Sequence, residues 1–234
     1  MYFLKSRIKD SVKSLLSPNY IQSVPFQNIL NRYGTDKIKN FVQIGSNDGV
    51  KNDPLREFIL KYKWPGILVE PNAANFKKLT ENYSGESALI FENVGIAETS
   101  ATLKFNFIDN IKQEEPDWYD QVGSFDESTF IKNISGNPEL LNRHRTVDVP
   151  VITFEDLLKK NQFHNVDLIH VDAEGYDFKI LKSVDFKKYS PKVVLFESEW
   201  LTAFELRELI NMFRTGNYLI FRDNFDHIAV KKEI

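Results

Sequence analysis

The sequence predicts an α/β fold in which a mostly parallel sheet carries helices on both faces. Three observations predict it. Short apolar runs alternate with helical segments from residue 41 to residue 94, and the alternation resumes after residue 146. The runs are continuously apolar, as in strands buried on both faces. Four of them stop abruptly in polar residues: Gly45-Ser46-Asn47-Asp48, Glu70-Pro71-Asn72, Asp172-Ala173-Glu174-Gly175 and Glu197-Ser198-Glu199. In a doubly wound sheet such strand ends share one edge, where ligands bind.

The elements follow in order. Leu4, Ile8, Val12, Leu15 and Leu16 recur at helical spacing within a basic segment, so residues 1–17 read as an amphipathic helix. It would lie on a membrane surface or pack on the domain or a second subunit, which makes it a candidate dimer element. With a short helix from Phe26 to Tyr33 it forms an N-terminal helical segment, 1–36, ahead of an α/β domain over 37–234. The first strand contains Phe41, Val42 and Ile44, and the next helix starts at Asn52 or Asp53 with Pro54 in its first turn, reaching Tyr62. Gly66 to Val69 is a strand, Ala73 to Asn82 a helix and Ala88 to Val94 a strand. Thr102 to Ile108 alternates polar and apolar residues and reads as a more exposed strand. Residues 109–145 form a polar and aromatic insertion, read as a lid or binding loop with a short helix from Glu127 to Lys132. Strands over 146–152, 166–171 and 193–196, helices over 154–160, 176–183 and 203–215, and a terminal pair of strands, 218–222 and 227–231, complete the domain.

Composition narrows the function. The 234 residues are 42% hydrophobic, enough for one sizeable core. A net charge of −3 supplies no basic field for nucleic acid. There is no cysteine, and the histidines at 144, 164, 170 and 227 lack metal-ligand spacing, so no dedicated zinc site is expected. No apolar run approaches the roughly 18 residues of a spanning helix, and the N-terminus lacks a signal-peptide core, so the expectation is a cytoplasmic protein without membrane insertion.

Glu70 follows Gly45 by 25 residues, at the end of the second strand. An acid there accepts hydrogen bonds from both ribose hydroxyls of a nucleoside-containing ligand. A dinucleotide needs a GxGxxG loop for its pyrophosphate, whereas here Asn47 and Asp48 follow Gly45, and Asp48 would repel phosphate. An acidic cleft instead suits S-adenosylmethionine, which carries a sulfonium and an ammonium cation and no phosphate. An oxidoreductase using NAD or a nucleotide sugar is the alternative on the same sheet.

The stretches FVQIGSNDGV, ILVEPN, ENVGIAE, VGSF, VPVITFEDLL and VDLIHVDAEGYDFKIL, spread in order over about residues 40–200, resemble the successive motifs of the FkbM family of S-adenosylmethionine-dependent methyltransferases. The resemblance implies a Rossmann-like class I methyltransferase fold, seven-stranded with its last strand antiparallel, and O-methylation of sugars, polysaccharides or natural products. It places Gln43, Gly45, Ser46, Asn47 and Asp48 at the donor's methionine end, Glu70 on the ribose, Pro71 and Asn72 on the adenine side, and Asn93 and Val94 at the base. Ser124 and Asp172 would close the pocket near the methyl group. The sequence departs from the commoner wording at Gln43 and Ser46; since Gln43 brings no charge, Asp48 or Asp172 would face the ammonium.

Methyl transfer to an alcohol needs a base beside the reacting oxygen. Asp172 and Glu174 are the candidates, with His144, in an Arg-His-Arg cluster, as a further one; Asp172 could equally orient the donor, and Glu174 cap a helix. Asp172, Glu174 and Glu199 holding a divalent metal is the alternative to a metal-free site. His170 reads as a satisfied core histidine, Asp177 as a solvated helix residue, Trp64 and Trp200 as packing, and Trp118 as a stacking surface for a carbohydrate acceptor.

Overall fold

All four residues of the strand Phe41–Ile44 (β2) are buried, and the strand lies at the centre of the computed structural model, which describes residues 21–112 and 114–232. The amphipathic helix expected over 1–17 lies outside the described residues.

Gly66–Val69 (β3) and Leu168–Val171 (β8) flank β2 in parallel, Leu89–Glu92 (β4) pairs with β3, and Val193–Glu197 (β9) pairs with β8. Asp226–Lys231 (β11) runs antiparallel between β9 and Tyr218–Asp223 (β10). This is the seven-stranded arrangement the resemblance implied, widened by the two-residue strand Gln22–Ser23 (β1), which pairs in parallel with Phe221 and Arg222. So short a strand leaves no periodicity to read, and it falls in the segment expected to be helical.

A second sheet of three strands stands beside the first. Ala101–Ile108 (β6) pairs antiparallel with His144–Ile152 (β7), and Gly95–Ile96 (β5) pairs with β7. The single strand expected over 88–94 therefore ends at Glu92, and the chain turns into the second sheet at Asn93 and Val94. Asn93 holds that turn, its amide donating to the carbonyls of Glu70 and Pro71.

Each face of the main sheet buries its own core. Val42, Ile44, Ile169, Val171, Val194 and Phe196 face the helices Phe154–Lys160 (α6), Asp177–Ser183 (α7) and Ala203–Thr215 (α8). Phe41, Leu68, Leu168, Val193 and Leu195 face Phe26–Tyr33 (α1), Arg56–Tyr62 (α2) and Ala73–Asn82 (α3). Each such buried side chain contributes on the order of 2 kcal/mol of transfer free energy. Gln43 and His170, paired in register on β2 and β8, lie on the second face and interrupt it with polar groups near the carboxyl edge.

The helix expected from Asn52 or Asp53 begins at Arg56, because Asp53 Oδ1 accepts the Leu55 and Arg56 amides and sets the start beyond Pro54. The insertion contains a 3-10 turn, Asp117–Asp120, and two helices, Glu127–Ile134 (α4) and Pro138–Arg143 (α5); the second was not expected. No helix among the described residues is long and apolar enough to cross a membrane.

Candidate functional site

Three of the four polar strand ends line one cleft, and Glu197 of the fourth lies beside Asp172 and Glu174 without lining it. Gly45 makes the closest approach. Its φ is +80°, and a Cβ there would fall 1.7 Å from the Asp172 carbonyl oxygen. No other residue fits. The Gly45 and Ser46 amides donate to Val69 O and the Asp172 amide donates to Ile44 O, so the loops after β2 and β8 are pinned across the sheet edge.

Glu70 joins the loop after β2 to the loop after β3. Its Oε2 accepts the Asn47 amide and its Oε1 the Asn72 amide, both at 2.8 Å. Each carboxylate oxygen keeps a second lone pair for a ligand. Only 5% of the residue is exposed, and burial, with lesser contributions from Asp120 and Asp48, pushes its pKa up to about 7. Asn72 caps α3, its Oδ1 accepting the Ala74 and Asn75 amides.

The insertion supplies the wall opposite Glu70. Asp120 O accepts the side-chain amides of Asn75 and Asn47 at 2.8 and 3.3 Å. Asp120 Oδ2 pairs with Lys51 and Lys78 at 3.2 and 3.1 Å. Ser124 bonds back to the second sheet, exchanging amide hydrogen bonds with Asn106, and its neighbours Gly123 and Phe125 line the cleft.

At the other end the carboxylates of Asp172, Glu174 and Glu197 each bring an oxygen within 4.8 Å of the others. Glu174 adopts φ 49°, and its Oε2 accepts from Trp200 Nε1 at 3.0 Å and Asn133 Nδ2 at 3.4 Å. Burial first, then neighbouring negative charge, raises all three acids, Glu174 to about 8. Repulsion at this range favours protons held within the cluster. Asp177, expected on a solvated face, is 1% exposed and accepts the Ala173 and Gly175 amides, which folds the turn that presents Asp172 and Glu174.

Of the residues named from sequence, Gln43, Gly45, Ser46, Asn47 and Glu70 line the cleft, which measures about 840 Å³ with its open mouth. Pro71, Asn72, Val94, Asp172 and Glu174 line it too. Four do not. Asp48 turns back on its own loop, Oδ1 accepting the Val50 and Lys51 amides. Asn93 ties the turn described above. Ser124 Oγ donates to Glu174 O at 2.7 Å, holding the insertion to the turn after β8. His144 begins β7, with Nε2 3.0 Å from Asn106 Oδ1 and its ring against Phe130; strand pairing carries it away from the cleft.

Other expectations are corrected as well. Glu199 is exposed, and Glu197, two residues earlier and the last residue of β9, takes its place in the acidic group. Trp200 does more than pack, since its indole donates to Glu174. His170 lines the cleft with Nδ1 unpartnered. Burial, which pushes its pKa down to about 3, keeps it neutral. Sequence reasoning missed Asp53, Asn75, Asp120 and Gln121 as cleft residues. Asp53 carried only the signal of a helix start, and Asp120 none.

Among the described residues, six buried side-chain polar atoms lack a hydrogen-bond partner, and five of them belong to residues of this cleft: Gln43 Oε1, Asn47 Oδ1, Asp120 Oδ1, Gln121 Nε2 and His170 Nδ1. Unpaired buried groups are costly in a folded protein, so their concentration here leaves the cleft with several polar atoms ready to bond a ligand or water.

Residues 43–226 match the Methyltransferase FkbM domain. No curated protein matches the sequence. The crystal structure of methyltransferase FkbM from Methylobacillus flagellatus KT superposes with a TM-score of 0.52 at 15% identity, over 83% of this chain and 44% of that one. This chain thus spans less than half the length of that protein, and at such identity the likeness shows the fold alone. An O-methyltransferase from Bacillus cereus, solved in complex with SAH, aligns over 99% of this chain and 91% of its own at 9% identity and a TM-score of 0.45. The fold is the Rossmann-like α/β fold of class I methyltransferases. With its family domain matched over most of its length, the chain belongs to the FkbM methyltransferase family.

Proposed function

We propose that this protein binds S-adenosylmethionine in the cleft between Glu70 and Asp172 and methylates a hydroxyl of a carbohydrate-type acceptor. The observation that carries the reading is the group of five unpartnered buried polar atoms lining a cleft whose one wall is Glu70. When bound, the donor supplies an electrophilic methyl group on a sulfonium. Glu70 receives the ribose hydroxyls on its free lone pairs while its other lone pairs keep the two loops in place. Pro71 and Val94 flank the base; Asn72, whose side chain caps α3, contributes backbone there. Gly45 lets the chain approach the methionine end closely.

The acidic group is the base. The acceptor oxygen attacks the methyl carbon, the carbon–sulfur bond breaks with its electron pair going to sulfur, and the acceptor's proton passes to Glu174 or Asp172. Raised pKa values suit that task for whichever carboxyl of the group is ionised, because a carboxylate that binds its proton more tightly is a stronger base. Trp200 and Asn133 orient Glu174 for it. Exposed Trp118, next to Tyr119 in the segment that ends at Asp120, offers a face for a sugar ring. The NAD-dependent alternative has no support from the family matched.

Calorimetric titration with S-adenosylmethionine and, separately, NAD tests the donor reading on the wild type and on Glu70→Ala. Micromolar binding of the methyl donor alone, weakened about ten- to a hundredfold by the substitution, is expected. Binding of NAD, or of neither ligand, would overturn it. Transfer of label from methyl-labelled donor to a panel of glycans, glycolipids and amines then tests the acceptor class, with amine methylation as the contrary result.

A further inference from the structure

Gln43, Asp53 and His170 line the cleft side by side, Gln43 paired in register with His170 and hydrogen-bonded to Asp53. Gln43 is 1% exposed, and its Nε2 donates to Asp53 Oδ1 at 3.1 Å. That bond fixes the amide's orientation, since only the NH2 side can face a carboxylate accepting two backbone amides on the same oxygen. Gln43 Oε1 is thereby committed as an acceptor, yet it is buried with no donor in reach. Asp53 forms no ion pair among the described residues, its remaining oxygen accepting only from Tyr83 OH at 3.2 Å. His170 Nδ1, on the adjoining strand, is also unpartnered, and the ring is neutral. The wall thus offers an amide oxygen, a carboxylate and an uncharged imidazole, and the lysine that lines the cleft, Lys51, pairs with Asp120.

Such a wall calls for a compact positive group with several N–H donors. A primary ammonium has three donors. We propose that Asp53, together with Gln43 Oε1, anchors the ammonium group at the amino-acid end of the methyl donor. The inference rests on the donor reading above and supplies the charge that Gln43 lacks. Asp48, one of the two acids expected in this role, is engaged by its own loop and does not line the cleft. Asp172, the other, lies within the carboxylate group at Glu174 and Glu197, on the side where the acceptor's proton is taken. Asp53 comes from the start of α2, ten residues after Gln43, so the charge reaches this wall from a helix start and not from the strand.

The test separates the amino-acid end from the nucleoside. Calorimetry on the wild type compares S-adenosylhomocysteine with its N-acetyl form, which has lost the ammonium, and with methylthioadenosine, which lacks the amino-acid end altogether. S-adenosylhomocysteine is expected to bind about ten- to a hundredfold more tightly than either. Asp53→Asn should weaken S-adenosylhomocysteine by a comparable factor and leave methylthioadenosine within about twofold. The double variant Gln43→Glu with Asp53→Asn exchanges the partners of the 43–53 hydrogen bond and returns a carboxylate to the wall; it should recover most of the lost affinity. Equal weakening of both ligands by Asp53→Asn would mean a merely structural role and overturn the proposal. So would an unchanged S-adenosylhomocysteine affinity or, should Asp53→Asn fail to fold, equal wild-type affinity for the acetylated and free forms. If the wild type binds none of the three, the donor reading itself fails and this inference falls with it.

Discussion

Replacing Glu70 by glutamine should remove a specific pH dependence from the stability of the ligand-free protein. Folding raises this carboxyl from 4.5 to about 7, with burial as the leading cause. The folded chain therefore holds the proton more tightly than the unfolded chain, and its stability falls as pH rises between those two values. The contribution is fully present below pH 4.5 and lost above pH 7. The gap is worth roughly 3 kcal/mol, most of which is lost between about pH 5 and pH 8. Glutamine does not titrate, but it presents one oxygen to two backbone amides, Asn47 and Asn72, and leaves one of them unpaired at a cost of about 1–3 kcal/mol at every pH. Urea unfolding at pH 5 and pH 8 measures both effects. The variant should be clearly weaker than wild type at pH 5, and the difference should shrink or reverse at pH 8. Glu174, Asp177 and Asp226 are raised in the same direction, but their contributions cancel between the two proteins. Parallel pH dependence in wild type and variant would refute the reasoning, because it would mean that Glu70 ionises in the folded chain as it does in the unfolded one.

Gly45→Ala should prevent proper folding or lower stability by roughly 3 kcal/mol or more, since a Cβ meets the Asp172 carbonyl and φ is +80°; a native-like melting temperature would contradict it. Trp200→Phe removes a donor that favours ionised Glu174, so the Glu174 pKa should rise further above about 8, followed by carbon NMR of the labelled carboxyl; an unchanged titration would show that the indole bond has no such influence. Asp120→Asn breaks partly exposed ion pairs to Lys51 and Lys78 while keeping the backbone contacts, so bound donor should dissociate up to about fivefold faster in stopped-flow experiments. That acceleration should diminish in high salt, and a salt-independent effect would point to a different cause.

The amino-acid sequence by itself determined the sheet, the order of its central elements and which strand ends meet. Continuous apolar runs such as Gly66–Val69 can be satisfied only by burial on both faces, and parallel strands joined by helices bring their carboxyl ends to one edge. Hence Gly45, Glu70 and Asp172 could be named together although they are spread widely along the chain. The motifs also carried the family. Only the tertiary structure decided which polar side chains face the cleft and which hold it together. Asp48, Asn93 and Ser124 look like ligand contacts in the sequence, yet Asp48 closes its own loop and Asn93 and Ser124 tie one loop to another, while His144 is drawn into the pairing of β7 with β6. In the opposite direction, Asp177 and Trp200 looked peripheral and turned out to shape and orient the acidic turn. Asp53 and Asp120 reach the cleft from a helix start and from an irregular insertion, whose positions depend on packing partners far away in the chain. Period and composition report which face of an element is buried; they do not report which donor a particular buried acceptor will find.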